Sequence, residues 1–235
     1  MLKTEKPIYI SIHDAIKSDI ESKIYPVGSR LPSERELSQK FSVTRTTLRQ
    51  AVSALCDEGI LERRVGSGTY VVGERVRERM RGTTSFTEII ESQGKTPSSK
   101  IISYTKVMAN KIECEKLNLK EDSEIIKMER IRFADDLPIC FEVTCIPAKI
   151  ISGFKKEEIS FHFFASLEKN GYEIGRSEQV ISSKSASPEL IDYLELKPGA
   201  AILSVTQVSY FSDDCAFEYV LSSYAGDRFE FYLER

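Results

Sequence analysis

In the N-terminal third of the chain, Ile8, Ile12, Ile16 and Ile20 recur every four residues, and Ala15 and Ile24 extend the stripe. The spacing predicts an amphipathic helix over roughly residues 8–22, with Pro7 suited to its first turn. "YPVGSRLP" then breaks the pattern. A second helix opens at "PSERELSQKF", where Ser33 as N-cap and Glu36 three residues on form a capping box and satisfy two orphan backbone donors reciprocally. Leu37 and Phe41 face inward. Ser42 and Val43 leave only a short turn before a third helix starting near Thr44, whose apolar stripe is Leu48, Ala51, Val52 and Leu55. Gly59 fits its C-terminal stop. Next, "ILERRVGSGTYVV" sets two short apolar runs around Gly66-Ser67-Gly68, the pattern of a β-hairpin with a glycine tip.

From Lys100 onward the period changes. "KIISYTKVM", "SEIIKMERIRFAD", "PICFEVTCIP", "AAILSVTQVSYF", "CAFEYVLSSY" and "RFEFYLE" read as strands, with "ADDLP" and "FSDDC" as hairpin turns. Helices fit "TSFTEIIESQG", "NKIECEKLNL", "ISFHFFASLEKNG" and "SPELIDYLEL". The whole is of the α+β class: an N-terminal winged helix-turn-helix over residues 1–73, a linker over 74–84, and a mainly antiparallel sheet with helices over 85–235.

Composition narrows the setting. The chain has 235 residues, 41% hydrophobic and 29% charged, which favours two modest soluble domains. No run approaches the ~18 apolar residues that span a bilayer, and the charged N-terminus is not a signal peptide. Five scattered cysteines and two histidines, His13 and His162, show no metal-ligand spacing. Free thiols in a reducing cytoplasm and no metal or other cofactor are expected. The net charge of −3 divides unevenly: residues 1–81 carry +4 and the rest −7, as suits a first half that meets a polyanion.

The start of the third helix explains that charge. Threonine is a poor helix-interior residue but suits a helix start. The N-terminal turn of a recognition helix enters the DNA major groove, where the hydroxyls of Thr44, Thr46 and Thr47 meet phosphates. Arg45 and Arg49 are four apart on one face, in reach of guanine O6 and N7, unless they are simply a solvated face. Arg35 is placed to grip the backbone, and the Gly66-Ser67-Gly68 tip lets the wing approach the minor groove.

The segment with Gly28, "LPSER" at 31–35, Arg45-x-Thr47-Leu48-Arg49-Gln50-Ala51, Glu58-Gly59 and Gly66-x-Gly68-Thr69-Tyr70-Val71 resembles the DNA-binding domain of GntR-type bacterial transcription regulators. The resemblance implies DNA contacts from Arg35, Arg45, Arg49 and the Gly66 tip. "TSFTEIIESQGKTP", "MERIRFADDLPICFEVTCIP" and "AFEYVLSSYAGDRFEF" resemble the UTRA effector-binding domain of the HutC-type branch, which is similar in fold to chorismate lyase. That resemblance implies a double-stranded DNA operator, a two-fold partner in a homodimer, and a small-molecule effector rather than an enzymatic substrate.

The residues themselves point to an anion. Arg130 and Arg132 are two apart on a strand and leave the same face, beside apolar Ile126 and Met128. Enclosed guanidiniums need partners: a phosphate or carboxylate, or else internal salt bridges to Glu129 or Glu142. The resemblance adds the backbone of Phe86 and Thr87 around the anion, and Glu142, Glu218 and Tyr224 around the ligand's polar part. An odd-length, three-residue loop at Asp135-Asp136 is expected, because it pairs Arg130 with Glu142 on one face. The branch's sugar-phosphate sensors carry a Ser-x-Tyr pair where this chain has His162-Phe163-Phe164. His162 either replaces the serine as a donor or is a surface histidine, and Phe164 loses a hydroxyl. The expected effector is a sugar phosphate or amino sugar phosphate, with another carboxylate or amino acid derivative as the alternative. The expected action is repression, with activation as the alternative. In the linker, Arg75, Arg77, Arg79 and Arg81 alternate, which would set them on one side of an extended segment for phosphate contacts or for solvent.

Overall fold

The computed structural model describes residues 6–64, 66–72, 75–80 and 82–234. The chain divides into two compact units, Met1–Arg75 and Val76–Arg235.

The first unit contains α1 (Ile8–Glu21), α2 (Glu34–Lys40) and α3 (Arg45–Asp57), then the hairpin of β1 (Leu61–Arg64) and β2 (Gly68–Val71). The helix starts follow from their caps. Ser33 and Glu36 make both halves of the capping box at α2, and Thr44 Oγ1 accepts from Thr47 N at α3. Leu48, Ala51, Val52 and Leu55 are fully buried and pack with Ile12, Ile16, Leu37, Ile60 and Val71 into one core. Residues 28–31 join the hairpin as well: Gly28 N donates to Val71 O and Leu31 N to Thr69 O, with a bridge between Arg30 and Tyr70. The helix-turn-helix is therefore fastened to its wing by backbone hydrogen bonds.

The second unit is built on a six-stranded antiparallel sheet in the order β4-β5-β6-β9-β8-β7. Its strands are β4 (Pro97–Met108), β5 (Glu124–Ala134), β6 (Leu137–Pro147), β7 (Ile174–Ser185), β8 (Ala201–Phe211) and β9 (Ala216–Ala225). Short helices α4 (Phe86–Glu91), α5 (Lys111–Lys116), α6 (Lys156–Phe161), α7 (Phe163–Lys169) and α8 (Pro188–Tyr193) flank it. The helix expected over "ISFHFFASLEKNG" is broken at His162, whose φ of −135° and ψ of 39° lie outside the helical region.

Two further departures concern strands. The linker expected over 74–84 contains β3 (Val76–Arg79), which pairs in parallel with β10 (Phe229–Tyr232) in the second unit. Val76 and Glu78 are buried while Arg77 and Arg79 are exposed. The expected one-sided alternation holds for that pair, but Arg77 is taken by Glu230 at 2.5 Å and lies over the Tyr232 ring; Arg81 lies outside the described residues. Strand β7 is the other departure. It is a serine-rich edge strand, largely exposed, so it shows no apolar alternation.

The Arg130–Glu142 register is the expected one, reached by another route. The β5–β6 connection is a two-residue turn at Asp135-Asp136, not a three-residue loop, and a bulge between Arg132/Phe133 and their partners supplies the extra residue. Arg132 faces Cys140 while Phe133 faces Pro138, so Ile139 is the inserted residue, and Arg130 meets Glu142. Asp135 takes the positive φ of 55° that the tight turn requires.

Candidate functional site

Each unit carries a candidate site. In the first, Arg35, Thr44, Arg45, Thr46 and Arg49 are exposed, and so are Gly66 and Ser67 at the wing tip. Thr44 and Thr47 are committed to each other: their hydroxyls are 3.0 Å apart, and Thr44 caps the helix. Arg49 is bound through Nε to Glu34 Oε2 at 2.7 Å. Gly66 has φ of 71°, which suits a tip without a side chain. Gly68 has a similar reason to be glycine. Its φ of 121° is a backbone conformation that a residue with a side chain rarely adopts, and the Arg30 guanidinium lies close to it. Sequence reading missed Arg30 and Glu34, because the first meets the wing and the second meets α3 only once the chain has folded.

The second unit encloses a cavity of roughly 500 Å³ between one face of the sheet and the segments around α4 and α6–α7. Phe86, Thr87, Arg130, Arg132, Glu142, His162, Phe164, Glu218 and Tyr224 all line it. The alternation of β5 and β6 and the bulge at Ile139 aim Arg130, Arg132 and Glu142 at this one space, and β9 adds Glu218, Ser222 and Tyr224.

The two arginines are used differently. Arg130 is satisfied within the protein: Nε donates to Glu142 Oε1 at 2.7 Å, and a terminal nitrogen donates to the Ser160 carbonyl. The internal salt bridge, the alternative for this pair, is therefore realised at Arg130. Glu142 also accepts from Thr144 at 3.0 Å. Burial opposes its charge, yet Arg130 and Arg132 and these hydrogen bonds hold its pKa below the ordinary carboxylate value.

Arg132 has no carboxylate partner among the described residues. It is 4% exposed, its Nε is buried without a hydrogen bond, and its one side-chain hydrogen bond among the described residues is a long 3.4 Å approach to Thr87 Oγ1. The guanidinium lies over the Phe86 ring at 4.5 Å. Burial, and then the neighbouring charge of Arg130, push its pKa down to about 10. A buried guanidinium with unspent donors is the arrangement that a bidentate anion completes.

Carboxyls line the cavity as well. Burial, with help from the charge of Glu142, pushes Glu218 up to about 7, although Ser209 donates to it at 2.8 Å. Glu78, on β3, is likewise pushed up to about 7 by burial, against a hydrogen bond from Gln179. Glu78 was missed from sequence because its strand reads as charged linker, and only the parallel pairing with β10 turns it inward. Burial raises the Tyr224 hydroxyl, whose ring stacks on Phe229 at 3.9 Å. His162 is exposed at the rim, and Phe164 packs edge-on against Phe163 and Phe217. The cavity therefore combines one guanidinium without a carboxylate partner among the described residues with two carboxyls held weakly acidic by burial.

The cysteines are all free. No helix among the described residues is long and apolar enough to cross a membrane.

A winged helix-turn-helix followed by a separate α+β domain with a charged, ligand-sized cavity defines the class: a transcription regulator that combines DNA-binding and sensing domains in one chain. Comparison with known proteins then gives the family. Residues 8–71 match the bacterial regulatory proteins of the gntR family, and residues 92–230 match the UTRA domain. The chain belongs to the GntR family of transcription regulators and carries a UTRA domain. It is 33% identical to the HTH-type transcriptional repressor NagR of Bacillus subtilis, over 97% of this chain and 96% of that protein. It is 29% identical to the mannosyl-D-glycerate transport/metabolism system repressor MngR of Escherichia coli, over 97% and 95%. Among solved structures, PhnF from Mycobacterium smegmatis shares the fold with a TM-score of 0.72 at 24% identity, covering 95% of this chain and 98% of that one. A GntR-family regulator from Enterococcus faecalis is 52% identical over 59% of this chain and all of its own, with a TM-score of 0.56.

Proposed function

We propose that this regulator is a repressor that binds a double-stranded DNA operator as a homodimer and is released when a small anionic metabolite fills the cavity of its second unit. Arg132 carries the reading, as a guanidinium buried in a ligand-sized space with donors left over. An isolated buried charge is too costly to keep for stability alone, so its partner is expected to be the effector's anion. Glu218, further along β9, then faces the other end of the ligand, where hydroxyls or an amine donate, while Tyr224 shares the sheet row of Arg132 and Cys140 and stands beside the anion. That division suits a sugar phosphate or amino sugar phosphate. Relatives named as repressors for mannosyl-D-glycerate and, in Escherichia coli, fructoselysine utilization support a sugar-related effector. In the first unit, Arg45 and Arg49 read bases, while Arg35, Thr46 and the Gly66-Ser67-Gly68 wing follow the backbone. Release requires the effector to bind the DNA-free arrangement more tightly than the DNA-bound one.

Phe164 favours a second reading of the anion. Its ring belongs to the aromatic cluster with Phe163 and Phe217 and brings no donor to the anion, and a carboxylate needs fewer donors than a phosphate. The test is a thermal-shift series on the full chain with glucosamine 6-phosphate, glucose 6-phosphate, gluconate and glucose, followed by operator release with whichever stabilises. Stabilisation by the phosphates but not by glucose supports the first reading, and stabilisation by gluconate alone supports the second. No anion-dependent shift from any of them, or from a wider set of phosphorylated and carboxylated metabolites, would remove both.

A further inference from the structure

We propose that Glu34 is a positioning residue for operator recognition, holding Arg49 by its Nε–H so that the two terminal nitrogens meet one guanine edge together. The proposal rests on the DNA-binding reading above and goes beyond it by assigning a role to a carboxylate on the DNA-facing surface. Arginine offers five N–H donors in a rigid planar fork. Guanine presents O6 and N7 side by side, and a bidentate contact needs two parallel N–H groups. Arg49 has given Nε to Glu34 Oε2 at 2.7 Å, and its terminal nitrogens make no hydrogen bond among the described residues. What remains free is the end-on pair that fits guanine. Without this tether, a side chain that is 61% exposed would have to be ordered at the moment of binding.

Glu34 is well placed to act as a tether. It is the first residue of α2, immediately after the Ser33 cap, and the Ser33–Glu36 capping box fixes that turn. Its side chain is 33% exposed. An exposed ion pair contributes little to folding, and the acid that the first turn of α2 favours is already supplied by Glu36, so stability is a weak reason for a second carboxylate on the DNA-facing surface. Such a carboxylate repels phosphates on every sequence and weakens binding to all of them. That cost is recovered only if the same group improves the choice among sequences, here by aiming Arg49 at a base and discouraging it from settling on a phosphate. Arg45 supplies the contrast: it is exposed and makes no ion pair among the described residues, so no carboxylate orients its fork.

The experiment uses the full chain, a duplex selected by the wild type from a random pool, and a scrambled duplex of equal length and composition. Affinities are measured by fluorescence anisotropy over a range of salt. Glu34→Ala is expected to bind the scrambled duplex more tightly and the selected duplex more weakly, so that the ratio falls at least tenfold. Glu34→Gln keeps an oxygen for the Nε–H and should recover most of the selected-duplex affinity, while its grip on the scrambled duplex stays raised. Replacing guanines one at a time by 7-deazaguanine should reveal one position whose N7 matters to the wild type and no longer matters to Glu34→Ala. In an Arg49→Lys background, which lacks Nε–H, Glu34→Ala should leave the ratio nearly unchanged. Equal losses on both duplexes, an unchanged ratio, or a drop in the Arg49→Lys background as large as in the wild type would overturn the role of Glu34. Failure of the wild type to prefer any selected duplex would instead remove the DNA-binding reading beneath it.

Discussion

Replacing Glu218 by glutamine isolates the energetics of the cavity. In the folded chain this carboxyl is buried, and its pKa lies at about 7 against 4.5 for the free group. Between those values the folded state holds a proton that the unfolded state has released, so the carboxyl draws stability away as pH rises through that window. The difference corresponds to about 3 kcal/mol once the pH is above both values. Glutamine keeps an oxygen for the Ser209 hydroxyl, which donates to Glu218 Oε1 at 2.8 Å, and carries no charge to bury. Glu218→Gln is therefore expected to be more stable than the wild type by up to about 3 kcal/mol at about pH 8.5, and by less than about 0.5 kcal/mol at about pH 4.5. Urea denaturation of both proteins at the two pH values measures the gap directly from the midpoints, provided the m-values agree. A gap of equal size at both pH values, or one that grows toward acid, would refute the reasoning. A gain of this kind on removal would support a ligand role for Glu218, held at a cost to stability.

Three more outcomes are expected. Arg132→Ala should abolish the effector-induced thermal shift and operator release while leaving operator affinity in the absence of effector within about twofold; retained release at wild-type effector concentration would place the anion elsewhere, and the tolerance follows from sites that share no partners. Arg49→Ala should cost about 1–3 kcal/mol on the operator and relax sequence choice, whereas equal losses on operator and random DNA would assign it to phosphate instead. Arg228→Met should lower stability by about 3 kcal/mol or more in urea denaturation, because the buried guanidinium donates to the carbonyls of Pro138, Leu194 and Glu195 and its loss leaves them unpaired; a change below about 1 kcal/mol would show that water replaces it.

Local chemistry made the first unit readable. The Ser33–Glu36 box, the Thr44 cap and the apolar stripe of α3 each depend on residues within a turn or two of one another, and each is found as expected. The pairing of Arg130 with Glu142 was legible too, because an alternating strand with one buried face tolerates only one register. Its cause was not: a bulge at Ile139 beside a two-residue turn has the same effect on parity as a longer loop. What escaped depends on distant partners. Val76–Arg79 looks like charged linker until β10 pairs with it, and Glu78 becomes a cavity residue only then. Strand β7 gave no apolar alternation because it lies at an exposed edge. The Arg49–Glu34 pair joins two helices across a turn that leaves no mark in either helix's own period.

The parallel pairing of β3 with β10 also bears on how the molecule is made. Arg77 and Glu230 stand 153 positions apart, so the strand that carries Glu78 leaves the ribosome long before its mate exists. The winged helix can close on short-range contacts during translation, whereas this wall of the cavity must wait until Phe229–Tyr232 has been made. Contacts of such long range form slowly. A nascent chain stalled before Phe229 should already bind duplex DNA through its head while the cavity, with β3 unpaired, stays unformed.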